Sequence, residues 1–347
     1  DKPNKYHFDI AFCDDFYPTC NQFLLKLWKR QITFLPSWLC YRILSINSLF
    51  DNLINSKNIH IASSSQSDRD VYNTLDLTKP KLKLTNKEIE YGNKILLDKF
   101  GIKKNDKIVC LIVRDNKYLK TLNNEDYSYH DYRHTNIDKF KKSIKNLISL
   151  NYYIFRMGVT ANKKLKIEHP NFIDYAFSNQ RSDFMDVYLA SRCTFCISTS
   201  TGYDALPLIF RKPIAFITVP ISLIFTFSDK FISITKNHYS KKMKRMLTLN
   251  EIFELDISLL KKKEEYEINN IKLIENTEDE INDLVTEMNL LVNNQYKIED
   301  VDKKMQNEFW KIYKENISRN ENLNKLHGKL KAKISINFLK KNEHLLK

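Results

Sequence analysis

A chain of 347 residues with 42% hydrophobic and 12% aromatic residues is long enough for two domains with packed cores, and this composition excludes a disordered protein. The formal net charge of +14 does not by itself indicate a nucleic-acid-binding protein, because only 11 of the 56 basic residues are arginine and the lysines are scattered along the chain. This charge is better suited to an anionic membrane surface.

The first 84 residues predict a mixed region of short strands and helices. Two strands, Phe8–Cys13 and Asn58–Ala62, flank an aromatic-rich helical stretch over Cys20–Phe50, and a linker is expected around Pro80. The pair Asp14–Asp15 follows the first strand. It can bind a metal, act as a base or cap the next helix, and we favour the cap.

Strands and helices alternate regularly from residue 86 to about residue 219. The helix Asn86–Phe100 comes first and ends at Gly101, a residue type that commonly closes helices. Each following strand is apolar throughout, which is typical of a parallel sheet covered on both faces. We expect strands at Lys107–Val113, Tyr152–Met157, Phe172–Phe177, Cys193–Ser198 and Pro213–Val219. We expect helices at Asn136–Leu150, Asp183–Ser191 and Tyr203–Phe210, the last reduced by Pro207 to a kinked or one-turn element.

The chain beyond about Thr248 predicts helices and solvated charge. Amphipathic helices are expected at Ile281–Val292, Val301–Ile317 and Ile334–Leu346. The longest apolar run, Pro213–Phe227, is too short to span a bilayer. The six cysteines show no disulfide framework, and Cys193 and Cys196 lack the second pair that a zinc site would need. We therefore expect reduced thiols and a cytoplasmic protein.

The residues Ser198, Thr199, Ser200, Thr201 and Gly202 form the most informative motif of the chain. They follow a predicted strand and precede a short helix, so backbone N–H groups, hydroxyls and the positive end of a helix dipole meet at one point. In an open α/β sheet, ligands usually bind at such a point beyond the carboxyl end of a strand. The motif predicts a phosphate or pyrophosphate site, against the alternative that its hydroxyls only cap the helix.

Further polar residues follow the neighbouring predicted strands. The set comprises Arg114, Asp115, Arg156, Gly158, Arg181, Ser182, Asp183 and Asp186. Because the carboxyl ends of parallel strands meet at one edge of a sheet, we expect these groups to converge with the hydroxyl turn into a diphosphate site, for which arginine is well suited. The alternative is that Arg156 and Asp183 simply pair with each other.

The segment Tyr127–His134 combines Tyr, His, Asp and Arg side chains between a strand and a helix. Loops on a rigid scaffold carry function more often than other segments do. His130 and Asp131 are our candidates for general acid or base catalysis, with His134 as a third. The alternative is a loop that is ordered by aromatic packing.

Several segments together resemble a bacterial family of glycosyltransferases associated with surface-polysaccharide synthesis. The matching pieces are CLIVRDNKYL, YHDYRHTNI, NYYIFRMG, FIDYAFSNQRSDFMDVYLAS and STSTGYDALPLIFRKP, with LTLNEIFEL, DEINDLVTEM and NFLKKNEHLL nearer the end. The sequence departs from that family at His134, where an asparagine is expected, and it lacks the glycine-containing turn expected before Phe8.

The resemblance implies a GT-B-like enzyme, an α/β protein of two Rossmann-like domains with C-terminal helices packing back across them. In this interpretation residues 1–84 form the acceptor domain, residues 85–247 the nucleotide-sugar-binding domain and residues 248–347 a helical extension. Arg133 and His134 join the polar residues named above as substrate-binding candidates.

The resemblance also implies how such an enzyme binds its substrates. The donor diphosphate would lie on Ser200, Thr201 and Gly202, and Arg114 and Arg156 would neutralise its charge, so neither a metal nor another cofactor is required. The expected partners are a nucleotide-sugar donor, a glycan or lipid-linked acceptor and the inner face of the cytoplasmic membrane, contacted by C-terminal lysines. Nucleic acid is not expected. The alternatives are a GT-B-like sugar-nucleotide epimerase or hydrolase, and a non-catalytic basic protein that binds membrane or RNA.

Overall fold

The structure is a computed structural model that describes residues 10–13, 19–51, 69–115, 117–122 and 126–347. The pair Asp14–Asp15 and the predicted strand Asn58–Ala62 lie outside these residues. The strands are β1 (Ile10–Ala11), β2 (Thr33–Phe34), β3 (Lys107–Ile112), β4 (Tyr152–Arg156), β5 (Phe172–Ile173), β6 (Phe195–Ser198), β7 (Ile214–Ile217), β8 (Phe231–Ile234), β9 (Asn237–Ser240), β10 (Arg245–Met246), β11 (Ile271–Ile274) and β12 (Lys333–Ile334).

The helices are α1 (Gln22–Trp28), α2 (Ser37–Asp51), α3 (Thr74–Leu77), α4 (Asn86–Phe100), α5 (Lys117–Leu122), α6 (Lys141–Ser149), α7 (Asp183–Arg192), α8 (Ala205–Ile209), α9 (Leu249–Glu254), α10 (Lys263–Ile268), α11 (Glu278–Val292), α12 (Asp300–Ser318), α13 (Glu321–Asn324) and α14 (Ile336–Lys341). Helix α4 has the predicted bounds, and Gly101 closes it with φ of 68°, a left-handed conformation that glycine adopts at little cost. Helix α8 is a single short turn containing Pro207, as expected.

A seven-stranded parallel sheet forms the centre of the molecule. Its strand order is β12–β8–β7–β6–β3–β4–β5. The five predicted strands correspond to β3 through β7, although β5 is shorter than expected because the chain turns into a 3-10 helix at Tyr175–Phe177. The expectation of an α/β fold with a parallel sheet is confirmed.

Both faces of this sheet are buried, which explains its uninterrupted apolar strands. Along β3, Val109 and Leu111 pack into one core with residues of α6, α11 and α12. Ile108 and Cys110, which alternate with them, pack into a second core with residues of α4 and α7. Helices therefore cover the sheet on two sides.

The C-terminal third is built into the same sheet. Strand β12 pairs with β8, and α11 packs against β6, β7 and β8. The predicted last helix, Ile334–Leu346, is wrong in its first part, because Ile334 belongs to β12 and Ser335 caps α14 by accepting the N–H of Phe338. Strands β9, β10 and β11 form a small antiparallel sheet that the sequence did not predict.

The N-terminal region contains one small parallel unit. Strands β1 and β2 pair in parallel, with Ile10 opposite Thr33, and α1 connects them. The predicted helical stretch Cys20–Phe50 is therefore split by β2, where Pro36 separates this strand from the body of α2. A second complete Rossmann domain is not seen among the described residues. Nor does any helix in these ranges have the length and apolarity needed to cross a bilayer.

Candidate functional site

The strand order creates a crevice between β3 and β6. The chain continues from β3 toward β4 on one side and from β6 toward β7 on the other, so the connections diverge at this point. Ligands of open α/β sheets bind in such a crevice, beyond the carboxyl ends of the two strands. The register places Ile112 opposite Ser198. Beyond this pair, the N–H of Arg114 donates to Thr199 Oγ1 at 2.7 Å, which joins the two strand ends.

The turn after β6 is held by its own side chains. Ser198 Oγ accepts the N–H of Ser200 at 3.0 Å, and Thr201 donates its N–H to Asp204 Oδ2 at 2.8 Å. These two N–H groups, which the sequence motif presented as phosphate donors, therefore already have partners within the turn. Gly202 is exposed, and a Cβ placed there would meet no atom within 4 Å. A ligand can therefore approach the backbone at Gly202.

Two arginines converge beside this turn. Arg133 donates from Nη2 to the carbonyl of Ser200 at 2.8 Å. The Arg114 guanidinium makes no hydrogen bond and no ion pair with any residue that the structure describes, and its Nε is buried, as is the unpartnered Nε of Arg133. Burial, and then the neighbouring charge of Arg133, lower the pKa of Arg114 to about 10. Two partly desolvated cations lie together here, an arrangement that a bound anion would stabilise.

The predicted catalytic loop lies in the same crevice. It forms a 3-10 helix over Ser128–Arg133, and the ammonium group of Lys236 donates to the carbonyls of Tyr132 at 3.0 Å and His134 at 2.5 Å. Lys236 is only 4% exposed, and burial lowers its pKa. Sequence reasoning missed this lysine, whose only signal was its position just after an apolar strand.

His134 and Asp131 form a pair within this loop. The distance between His134 Nδ1 and Asp131 Oδ1 is 3.1 Å, and His134 Nε2 has no hydrogen-bond partner among the described residues. Burial lowers the pKa of His134, and burial together with the charges of Arg114 and Arg133 lowers the pKa of His130. Both imidazoles are therefore neutral near pH 7 and able to accept a proton.

Arg156 does not join this cluster. Its side chain is buried and donates to the carbonyl of Lys163 at 2.5 Å and to Asp174 Oδ2 at 3.2 Å. In the structure Arg156 therefore pairs with Asp174, whereas the sequence predicted that it would bind a diphosphate. The predicted alternative, a pair between Arg156 and Asp183, is not formed, since Asp174 is the carboxylate beside Arg156.

Four other predicted residues gather at the start of α7, next to α1. Ser182 caps α7 by accepting the N–H of Met185. Asp183 accepts the N–H of Gln22 at 2.7 Å, and Arg181 pairs with Asp186 at 2.7 Å. Burial raises the pKa of Asp186 to about 6. These contacts join the N-terminal unit to the sheet and form a cluster separate from the two arginines.

Asp115 and Gly158 shape the loops at the same edge. Asp115 accepts the N–H groups of Lys117 and Asn162, each at 2.9 Å, and so ties the segment after β3 to the segment after β4. Gly158 has φ of 146°, a conformation that other residues rarely adopt. Both residues therefore stabilise the loops, and neither forms a hydrogen bond or an ion pair with the side chain of Arg114 or Arg133 among the described residues.

A cavity of about 240 Å³ lies elsewhere, at the amino-terminal edge of the sheet. Leu75, Arg211 and Lys230 are among its lining residues. Arg211 already donates to the carbonyls of Leu75 and Leu208 there. Because open α/β sheets bind ligands at the opposite edge, we assign the functional site to the crevice between β3 and β6.

Asp204 is a buried carboxyl beneath the turn that the sequence analysis did not select. Burial raises its pKa to about 7. The folded state therefore holds this proton at pH values where the unfolded chain has released it, and stability falls as pH rises between about 4 and 7.

We expect the variant Asp204→Asn, whose side chain cannot ionise, not to lose stability in this way as pH rises. Urea unfolding across the range should show the wild type losing stability relative to the variant as pH rises. The exposed substitution Asp98→Asn is the control, and parallel pH profiles for wild type and Asp204→Asn would contradict the assignment.

Comparison with known proteins finds no matching family model, no matching curated sequence and no matching solved structure. Among the described residues, no group of three or more His, Cys, Asp or Glu side chains is arranged to hold a metal ion. The geometry of the crevice is therefore the basis for inferring function.

Proposed function

We propose that this protein is a glycosyltransferase that moves a sugar from a nucleotide-activated donor to a surface glycan or lipid-linked acceptor. The observation that carries the proposal is the arginine pair Arg114 and Arg133 at the switch point of the sheet. Neither guanidinium forms an ion pair with an acidic residue in the described part of the chain. A diphosphate would supply the missing negative charge.

The arginine pair suits the leaving group of such a reaction. Negative charge develops on the donor diphosphate as its bond to the sugar breaks, and fixed cations in a partly buried crevice stabilise that charge. Arg114 would contact the phosphates with an otherwise unpartnered guanidinium. Arg133 would act from a position fixed by its bond to Ser200. Gly202 allows the phosphates to approach the turn.

The His134–Asp131 pair suits activation of the acceptor. Asp131 Oδ1 lies 3.1 Å from Nδ1 of the imidazole without forming a hydrogen bond to it, so its effect on His134 is electrostatic. Nε2 has no partner in the described residues and would accept a proton from an acceptor hydroxyl. This refines the sequence-based choice of His130 and Asp131 as catalytic residues. In an inverting reaction, His134 would be the base, and the negative charge of Asp131 would stabilise the imidazolium that forms.

The GT-B-like architecture is part of the same proposal. The parallel pair β1 and β2 with its connecting helix α1 is a βαβ unit, the repeat from which Rossmann-like domains are built. We infer that it belongs to the acceptor domain. Its contact with α7 through Asp183 and Gln22 lies at the same edge of the large sheet as the crevice.

Nucleotide binding by Arg114→Ala tests the proposal. We expect the wild type to bind a nucleoside diphosphate, measured by thermal shift and calorimetry over a panel of bases. Loss of charge-assisted hydrogen bonds should weaken this binding about 10- to 100-fold in the variant. Thermal stability should be unchanged or higher, because the substitution removes a buried cation that Arg133 repels.

Arg319→Ala is the matched control, since Arg319 is exposed and lies far from Arg114 in the sequence. Unchanged affinity in Arg114→Ala would contradict the site, and failure of the wild type to bind any member of the panel would contradict the function. Incubation with a nucleotide sugar alone identifies the alternative enzyme, because an epimerase or hydrolase converts the donor without an acceptor.

A further inference from the structure

The outward side of α2 is unusually apolar. Cys40 and Ser37 are the buried residues among the described side chains of this helix, with 5% and 7% of their surfaces exposed. On the opposite side, Trp38 is 60% exposed, Tyr41 44% and Ile46 54%. Ile43 and Leu44, which lie nearer to Cys40 on the helix, are also 45% and 37% exposed. Surface helices normally turn such residues toward the core, so α2 exposes more apolar surface than is usual. We call this side, with Arg42 between its apolar residues, the α2 face.

The sequence around the α2 face is predominantly basic. Residues 19–51 contain Lys26, Lys29, Arg30 and Arg42, and their one acidic residue is Asp51 at the end of α2. Arg30 is neutralised by Glu88 at 2.5 Å. The other three have no recorded acidic partner among the described residues. The Arg42 guanidinium instead lies 5.8 Å from the ring centre of Trp38.

We propose that the α2 face binds the surface of an anionic lipid bilayer. Trp and Tyr side chains favour the boundary between lipid headgroups and acyl chains, and apolar residues beside them can enter that layer. Arg42 would contact lipid phosphates, and the charges of Lys26 and Lys29 in the same basic segment would add to the attraction toward anionic lipid. This inference does not depend on the proposed glycosyl transfer.

Charge also favours a bilayer over a second copy of this chain. A symmetric contact between two α2 faces would bring the four basic residues of segment 19–51 from both copies together, against a single acidic residue, Asp51, in each copy. The C-terminal lysines, which the sequence analysis assigned to membrane contact, are less suitable. Lys340 pairs with Asp302 at 2.7 Å and Lys341 with Asp283 at 2.6 Å.

Vesicle flotation with the full chain tests the inference. We expect binding to vesicles of equal parts phosphatidylglycerol and phosphatidylcholine, reduced by salt and weaker on pure phosphatidylcholine. The double variant Trp38→Ser/Ile46→Ser should bind about tenfold less, because two apolar side chains no longer enter the bilayer. Arg42→Glu should lose the preference for phosphatidylglycerol.

Ile268→Ser is the matched control, because Ile268 is 78% exposed on α10 and lies outside the α2 face. Thermal unfolding of each variant verifies that the fold is kept. The inference is overturned if the wild type does not bind anionic vesicles, or if Ile268→Ser reduces binding as much as the double variant. It is also overturned if light scattering shows a dimer that the double variant dissociates.

Discussion

Replacing Arg156 by alanine is expected to reduce the free energy of unfolding by about 3–5 kcal/mol. The Arg156 and Asp174 side chains are 3% and 7% exposed, so both charges are removed from water and depend on each other. Asp174 Oδ2 also accepts the N–H of Leu165 at 2.9 Å, which fixes the carboxylate in place. Without the guanidinium, that buried carboxylate has lost its cation.

Urea unfolding measures this effect, with Arg319→Ala as the exposed control. The double variant Arg156→Met/Asp174→Leu should recover part of the loss, because it removes both charges and keeps apolar volume. A loss below about 1 kcal/mol in Arg156→Ala would contradict the structural role. If that variant also lost nucleotide binding while remaining stable, the original sequence-based role of Arg156 as a phosphate ligand would be supported instead.

Replacing Glu287 by alanine is expected to cost about 3 kcal/mol. This buried carboxylate of α11 accepts hydrogen bonds at 2.9 Å from Ser335 Oγ and from the N–H groups of Ile336 and Asn337. It thereby satisfies the first N–H groups of α14, and a negative charge is favourable at a helix N-terminus. The alanine variant removes the acceptor of two buried donors, Ser335 Oγ and the N–H of Ile336, and of the partly buried N–H of Asn337.

Calorimetric unfolding of Glu287→Ala, compared with Glu287→Gln and the exposed Glu321→Ala, tests this prediction. Glutamine keeps one acceptor oxygen, so its loss should be intermediate between the other two. Equal stability of the Glu287→Ala and Glu321→Ala variants would show that α14 docks without the carboxylate.

The large sheet could be predicted where the sequence pattern and the environment agree. Strands β3, β4, β6 and β7 are predominantly apolar because both of their faces are buried, and α4 has a clear cap at each end. Strand β12 could not be predicted. It has only two residues, and its pairing depends on β8, which lies far away in the chain. Local patterns carry no information about such a contact.

The position of the candidate site could be predicted from the sequence, but which arginines belong to it could not. Parallel strands place Arg114 and the Ser198–Gly202 turn together, and this follows from topology alone. Which arginine has an acidic partner depends on side-chain packing. Arg156 has Asp174 beside it, whereas Arg114 has Arg133. Arg156 is the last residue of β4, and Arg114 lies two residues after the end of β3, so no local sequence signal distinguishes them.

The position of β12 at the edge of the sheet has a consequence for the order of folding. A growing chain completes β8 at Ile234 long before Lys333, the first residue of β12, has been synthesised. During that interval the backbone N–H and C=O groups at the edge of β8 are unpaired and can form hydrogen bonds with a strand of another chain. Such long-range pairing also forms slowly. Nascent chains that stop after α11 should therefore aggregate more readily than the full chain, and chaperones that shield exposed strands should act mainly in this window.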